Sequence, residues 1–115
     1  QQIYVAVTGT KHYFGSEVFK TGQRVRMVKD PDNTHDEEAI RAEIVPIGIV
    51  GYIANSPYTV PKGCRSAGRI YDTFAESISG IVRFIVNDTV IVELTSNNEE
   101  ALDTTPSENE GAILT

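Results

Sequence analysis

The residues Asp30-Pro31-Asp32-Asn33-Thr34-His35-Asp36-Glu37-Glu38-Ala39-Ile40 bring carboxylates, an imidazole and turn formers together in one short stretch. Pro31 fixes its own φ and biases Asp30 towards extended geometry, so a strand arriving from the N-terminal side must stop here. Asn33 and Asp36 can each fold a side chain back onto neighbouring backbone N–H groups, which makes the loop stiff. Such a loop, presenting His35 and Asp36, is either a well-made connection or a recognition element. A third chemistry is metal ligation by His35, the loop carboxylates and His12, the other histidine. No His or Cys spacing here is diagnostic of a metal site.

A second cluster, Thr10-Lys11-His12-Tyr13-Phe14-Gly15, holds a base, an imidazole and two aromatic rings. Nucleic-acid sites pair a cation for phosphate with a ring for base stacking. Read as extended chain, Lys11 and Tyr13 share one side and Phe14 takes the other. Lys11 and Tyr13 are therefore expected at the surface and Phe14 as a core plug.

The elements that must position these residues are short strands. Ile3, Val5 and Val7 alternate with Tyr4, Ala6 and Thr8, the two-residue period of a half-buried strand. Arg24 to Lys29 puts Val25 and Met27 on one face and Arg24 and Arg26 on the other, and delivers the chain into the Asp30 loop. Ile40, Ala42 and Ile44 face inward beyond it. Pro46 and Gly48 mark a turn before Ile49–Ile53. Asn55 to Gly63 contains two prolines and reads as a connection. Ser66 can cap a short helix that carries Ile70 and Phe74 on one face, although Gly68 weakens it. Ile81–Val86 and Thr89–Leu94 flank Asn87-Asp88 and form a hairpin. Their dense β-branched residues predict burial on much of both faces. About six strands, one short helix and tight turns describe a mainly β protein, a small OB-like barrel whose loops form the functional surface.

At 115 residues the chain is one domain. No apolar run reaches the roughly 18 residues of a membrane span, and Gln1 to Val7 lack the layout of a signal peptide. With one cysteine, Cys64, no intrachain disulfide forms, which fits a cytoplasmic protein. The net charge of −6 argues against a nucleic-acid partner until its distribution is considered. Residues 96–115 carry five of the sixteen acids and no base, leaving eleven acids against ten bases in the body. Lys11, Lys20, Arg24, Arg26 and Lys29 precede the Asp30 loop with a single acid, Glu17, among them. They form either a local basic face or an ordinary solvated strand surface. The acidic tail itself reads as disordered, so the domain is expected to span 1–95.

Gly9 to Gly15, Asp30 to Ile40 and Val50-Gly51-Tyr52-Ile53 together resemble the successive motifs of the HIRAN domain family. The central motif of that family runs acidic, Pro, any, Asn, Pro, aromatic, Asp, any, Asn, Ala, Ile or Val, and the chain keeps Asp30, Pro31, Asn33, Asp36, Ala39 and Ile40. The resemblance implies a modified OB-like barrel which, in the N-terminal part of the helicase-like transcription factor, captures the 3′-hydroxyl end of single-stranded DNA. It implies that Asp36 accepts a hydrogen bond from the terminal 3′-hydroxyl, Tyr13 stacks on a terminal base, Lys11 pairs with the backbone, and His35 holds the place of a second stacking ring. Asn33 belongs to the same nucleic-acid-binding set, with Arg24 and Arg26 as further phosphate contacts. The chain departs from the pattern at Thr34, His35, Glu38 and His12. His35 offers a smaller ring and a proton-dependent charge near phosphates, and Glu38 adds negative charge beside the site.

The implied function is a non-enzymatic single-stranded DNA-binding module in a DNA-repair setting, with no cofactor, no metal and no catalytic residue. Its partners would be the 3′ end and DNA-processing proteins, to which any hydrolase or helicase activity would belong. The alternative is a peptide-interaction domain whose groove receives an acidic segment such as residues 96–115.

Overall fold

The computed structural model describes residues 2–95, so the expected acidic tail lies outside the described residues. Six strands follow the alternation in the sequence: β1 (Tyr4–Thr8), β2 (Arg24–Lys29), β3 (Ile40–Ile44), β4 (Gly48–Ile53), β5 (Ser77–Val86) and β6 (Thr89–Leu94). They close into a barrel in the order β1-β4-β3-β2-β5-β6. Every pairing is antiparallel. Among the described residues, closure leaves no unpaired edge strand. Val5, Val7, Val25, Met27, Ile40, Ala42, Val50, Val82, Val90 and Val92 fill the interior.

A short helix, α1 (Ala67–Ile70), runs into a 3-10 turn, Tyr71–Thr73. Ser66 caps it, its hydroxyl accepting the Arg69 N–H at 3.3 Å. Four residues form no stable helix alone. Ala67, Ile70 and Phe74, buried in the core cluster, hold it against the barrel. Lys29 Nζ adds a tie, lying 4.3 Å from the Tyr71 ring centroid and 5.0 Å from that of Phe74.

Three expectations need correction. Phe14 is 54% exposed and does not plug the core. The segment is a 3-10 turn over Thr10–His12, bracketed by Gly9 and Gly15 at positive φ, so two-sided alternation does not apply to it. Phe19, buried at 4% exposure, joins the core cluster. The half-buried period read in β1 is also incomplete, because Ala6 is as buried as Val5 and Val7. Finally, the β5–β6 hairpin is buried only along part of its length. The register shifts between Val82 and Phe84, and a bulge bends a strand and re-aims its side chains. Beyond it Phe84, Ile85 and Val86 are exposed. Asn87 takes the positive φ of 56° in the tight turn that follows.

Candidate nucleic-acid interface

The loop between β2 and β3 is knitted from its own side chains. Asp30 N–H donates to the Ala39 carbonyl at 2.9 Å, closing its base. Asn33 Oδ1 accepts the N–H groups of both His35 (2.9 Å) and Asp36 (3.1 Å), while its Nδ2 donates to Asp30 Oδ2 at 3.4 Å. The Asn33 side chain is thereby taken up in shaping the loop, and it sets the backbone from which His35 and Asp36 project. His35 is exposed and Asp36 half-buried.

Asp36 is gripped at both oxygens. Oδ1 accepts the Glu38 N–H at 2.9 Å, and Oδ2 accepts Asn55 Nδ2 at 2.7 Å. Each carboxylate oxygen has two lone pairs, so the group keeps accepting capacity while its orientation is held. Asn55 is held in turn by the Gly68 N–H, which donates to its Oδ1 at 2.8 Å. Gly68 explains itself here. A Cβ at that position would stand 2.6 Å from Glu38 Oε1 and 3.3 Å from Asn55 Oδ1, so the residue that weakens the helix lets it approach the loop.

The other end of the loop is anchored by Tyr52 on β4. Its hydroxyl donates to Asp30 Oδ2 at 2.8 Å. Arg41 Nη1 lies 3.9 Å from Asp30 Oδ1, and the Glu43 carboxylate holds the Arg41 guanidinium further towards its charged form. Burial, and then the bond to Asp30, push the Tyr52 phenol up to about 12, so it remains a hydrogen-bond donor at physiological pH. Gly51, which precedes it, permits β4 to press on β1: an added Cβ would meet Thr8 O and Val7 Cγ1, each at 2.7 Å.

Tyr52 also joins the two chemical clusters of the sequence, because its ring centroid lies 6.3 Å from that of Tyr13, tilted by 40°. Tyr13 is 41% exposed. Lys11 Nζ lies 4.0 Å from Asp88 Oδ2 on the hairpin turn, with both side chains largely in solvent. Such a pair is worth little. Tyr13 and the Asp30–Asp36 loop therefore meet through Tyr52, and Lys11 sits two residues before Tyr13. Arg24 and Arg26 occupy the outer face of β2, with Arg26 four residues before the loop, roughly 13 Å along a strand. They lie apart from this cluster.

Tyr52 and Asn55 carry geometry that sequence reasoning did not assign to them. In the sequence Tyr52 belongs to the Val50-Gly51-Tyr52-Ile53 motif with no role of its own, and Asn55 opens the stretch that reads as a connection. Cys64 lines a groove beside Asn55, and burial pushes its thiol up, away from the reactive thiolate. Among the described residues, no three His, Cys, Asp or Glu side chains gather as metal ligands, and no helix is long and apolar enough to cross a membrane.

Comparison with known proteins places this geometry in context. A family model described as HIRAN domain matches residues 1–95. The crystal structure of the HIRAN domain of human HLTF resembles the chain with a TM-score of 0.60 at 22% identity, covering 88% of this chain and 82% of that one. That likeness speaks for the barrel. No curated protein matches the sequence.

Proposed function

The chain belongs to the HIRAN domain family, and from that premise we propose that it is a non-enzymatic DNA-binding module that captures the free 3′-hydroxyl end of a single strand. The observation that carries the reading is Asp36, whose carboxylate is oriented by Glu38 N–H and Asn55 Nδ2 on a loop closed by its own hydrogen bonds. An ionised carboxylate only accepts. It receives a terminal hydroxyl and repels a terminal phosphate, so charge supplies the discrimination. Tyr13 and His35 offer their exposed rings to the terminal bases, and Lys11 neutralises a nearby phosphate. Asn33, Asp30 and Tyr52 act as positioning residues, holding the loop and Tyr13 in one frame. Because these groups are tied down before the ligand arrives, little ordering entropy is lost on binding.

Fluorescence anisotropy of short single strands ending in a 3′-hydroxyl or a 3′-phosphate, at low and moderate salt, tests this reading. The hydroxyl end is expected to bind more tightly at both salts. Equal and strongly salt-sensitive binding of the two would indicate backbone contacts alone and overturn end capture.

A further inference from the structure

An open groove of about 570 Å³ is lined in part by Asn55, Lys62, Arg65 and Arg69. Asn55 belongs to both the groove and the Asp36 site: its Nδ2 holds Asp36, and the residue lines the groove. Three of the ten basic residues of the chain lie along this one depression. Among the described residues none of the three forms an ion pair with a carboxylate. Three unneutralised cations in one groove of an acidic protein make a local field attractive to polyanions.

The groove is also built in place. Arg65 N–H donates to the Tyr4 carbonyl at 2.7 Å, fixing that wall to β1, and Cys64 N–H donates to the Pro61 carbonyl at 3.0 Å. Pro57 and Val60, which also line it, belong to a turn in which Val60 N–H donates to Ser56 O at 3.0 Å and Tyr58 N–H to Ser56 Oγ at 3.1 Å. This turn carries Tyr58 with 96% of its surface in solvent. A wholly exposed ring gives nothing to the core. With its neighbours Pro57 and Val60 lining the groove, a free ring on a segment that lines a cationic groove offers the pair that single-strand sites use, a charge for the phosphate and a face for the base.

We infer that this groove is a second nucleotide subsite, which takes the phosphodiester backbone immediately 5′ of the end held at Asp36, with Lys62, Arg65 and Arg69 on phosphates and Tyr58 stacked on a base. The inference rests on the end-capture reading for the starting point of the path. It adds a direction, from Asp36 past Asn55, and a minimum length of strand. Lys11 and Tyr13 then serve the terminal nucleotide, and the groove serves those upstream.

The test is a matrix of oligothymidylates, lengthened from two to about six nucleotides and ending in 3′-hydroxyl or 3′-phosphate, titrated against the wild type and the exposed pair Lys62→Gln/Arg69→Gln. In the wild type, affinity is expected to climb with length. In the double variant that climb is expected to flatten, with the hydroxyl-over-phosphate preference of the shortest ligand unchanged. Each phosphate contact on a single strand contributes about 0.7 to the slope of log K against log salt, so the slope for the longest ligand should become shallower by roughly 1.4. Tyr58→Ala, also at an exposed position, should lower affinity for the longer ligands alone. An unaltered length dependence and salt slope in the double variant would overturn the groove while leaving end capture standing. A length dependence that vanishes in the variant, with no hydroxyl preference in either protein, would support the groove and overturn end capture.

Discussion

Asn55 holds Asp36 across nineteen residues of sequence, its side-chain Nδ2 donating to Asp36 Oδ2 at 2.7 Å while Gly68 N–H donates to its Oδ1. One amide thus ties the loop after β2, the end of β4 and the start of α1 into a single unit. Replacing Asn55 by Ala removes a bond to a charged acceptor and strands the Gly68 N–H. The expected cost is about 1–3 kcal/mol, read as a loss of about 4–8 °C in Tm for each kcal/mol. Asn55→Asp should be worse at neutral pH, because it sets a second carboxylate against Asp36. Thermal denaturation of the two variants decides the order.

Tyr52 links pH to stability with a definite sign. Its phenol is raised to about 12 in the folded chain, against about 10 for an unperturbed tyrosine. Between those values the folded state binds the proton that the unfolded state has released, so stability falls as pH rises. The contribution is complete below about pH 10 and lost as pH passes through about 12. Tyr52→Phe removes it together with the bond to Asp30. The stability gap between wild type and variant should be constant at lower pH and close across that alkaline window. Absorbance titration should show a late-ionising step in the wild type that the variant lacks.

Gly51 is where the barrel and the site meet. A methyl group there would overlap Thr8 O, a backbone atom that cannot step aside without moving β1. Gly51→Ala should therefore cost about 1–3 kcal/mol, as overpacking does, and shift Tyr52. Urea denaturation and the near-ultraviolet tyrosine signal should move together. Gly68→Ala should be milder, since its nearest neighbour is the end of the flexible Glu38 side chain.

These glycines mark the boundary of what was legible. Alternation exposed β2 and β3 with their inward residues, because a strand half in water must repeat every second position. The same logic misplaced Phe14, which sits beyond a 3-10 turn where no two-residue period operates. It also overburied the hairpin tip, because a bulge near Arg83 carries no sequence mark that periodicity can detect. Asp36 and Asn33 could be singled out because their chemistry is local to the loop. Asn55 could not, since its bond spans distant elements and has no period. The only trace was a glycine inside a capped helix, Gly68, whose cost to the helix called for a contact to explain it.

Stacking should divide unequally between the two rings offered to the terminal bases. Tyr13 is half in water and rests against Tyr52, so its face is held in position. His35 is smaller and exposed, and the hydrogen bond it makes to Asn33 Oδ1 comes from its backbone N–H and not from its ring. Tyr13→Ala should weaken binding of a 3′-hydroxyl oligonucleotide by about 1–3 kcal/mol, or roughly 5- to 150-fold. His35→Tyr, which enlarges the ring, should strengthen it. Anisotropy titrations at fixed salt measure both, and a neutral Tyr13→Ala would remove that ring from the site.

Asp36 supports the sharpest expectation, because two substitutions separate its charge from its shape. Asp36→Ala removes both acceptors and frees the Glu38 N–H and the Asn55 amide. Asp36→Asn keeps the outline but carries one oxygen and one NH2 group. If the oxygen faces Glu38 N–H, the NH2 opposes Asn55 Nδ2, and the reverse orientation sets it against Glu38. Either way one contact is lost, and both variants should be destabilised by about 1–3 kcal/mol. Their DNA behaviour should agree in a second respect. Neither bears a charge to repel a terminal phosphate, so the hydroxyl-over-phosphate ratio should fall towards one. Affinity for a circular single strand, which has no end, should stay at the wild-type value. A variant that keeps the end preference would show that discrimination arises elsewhere, and one that loses circular-strand binding equally would make Asp36 a residue of the fold alone.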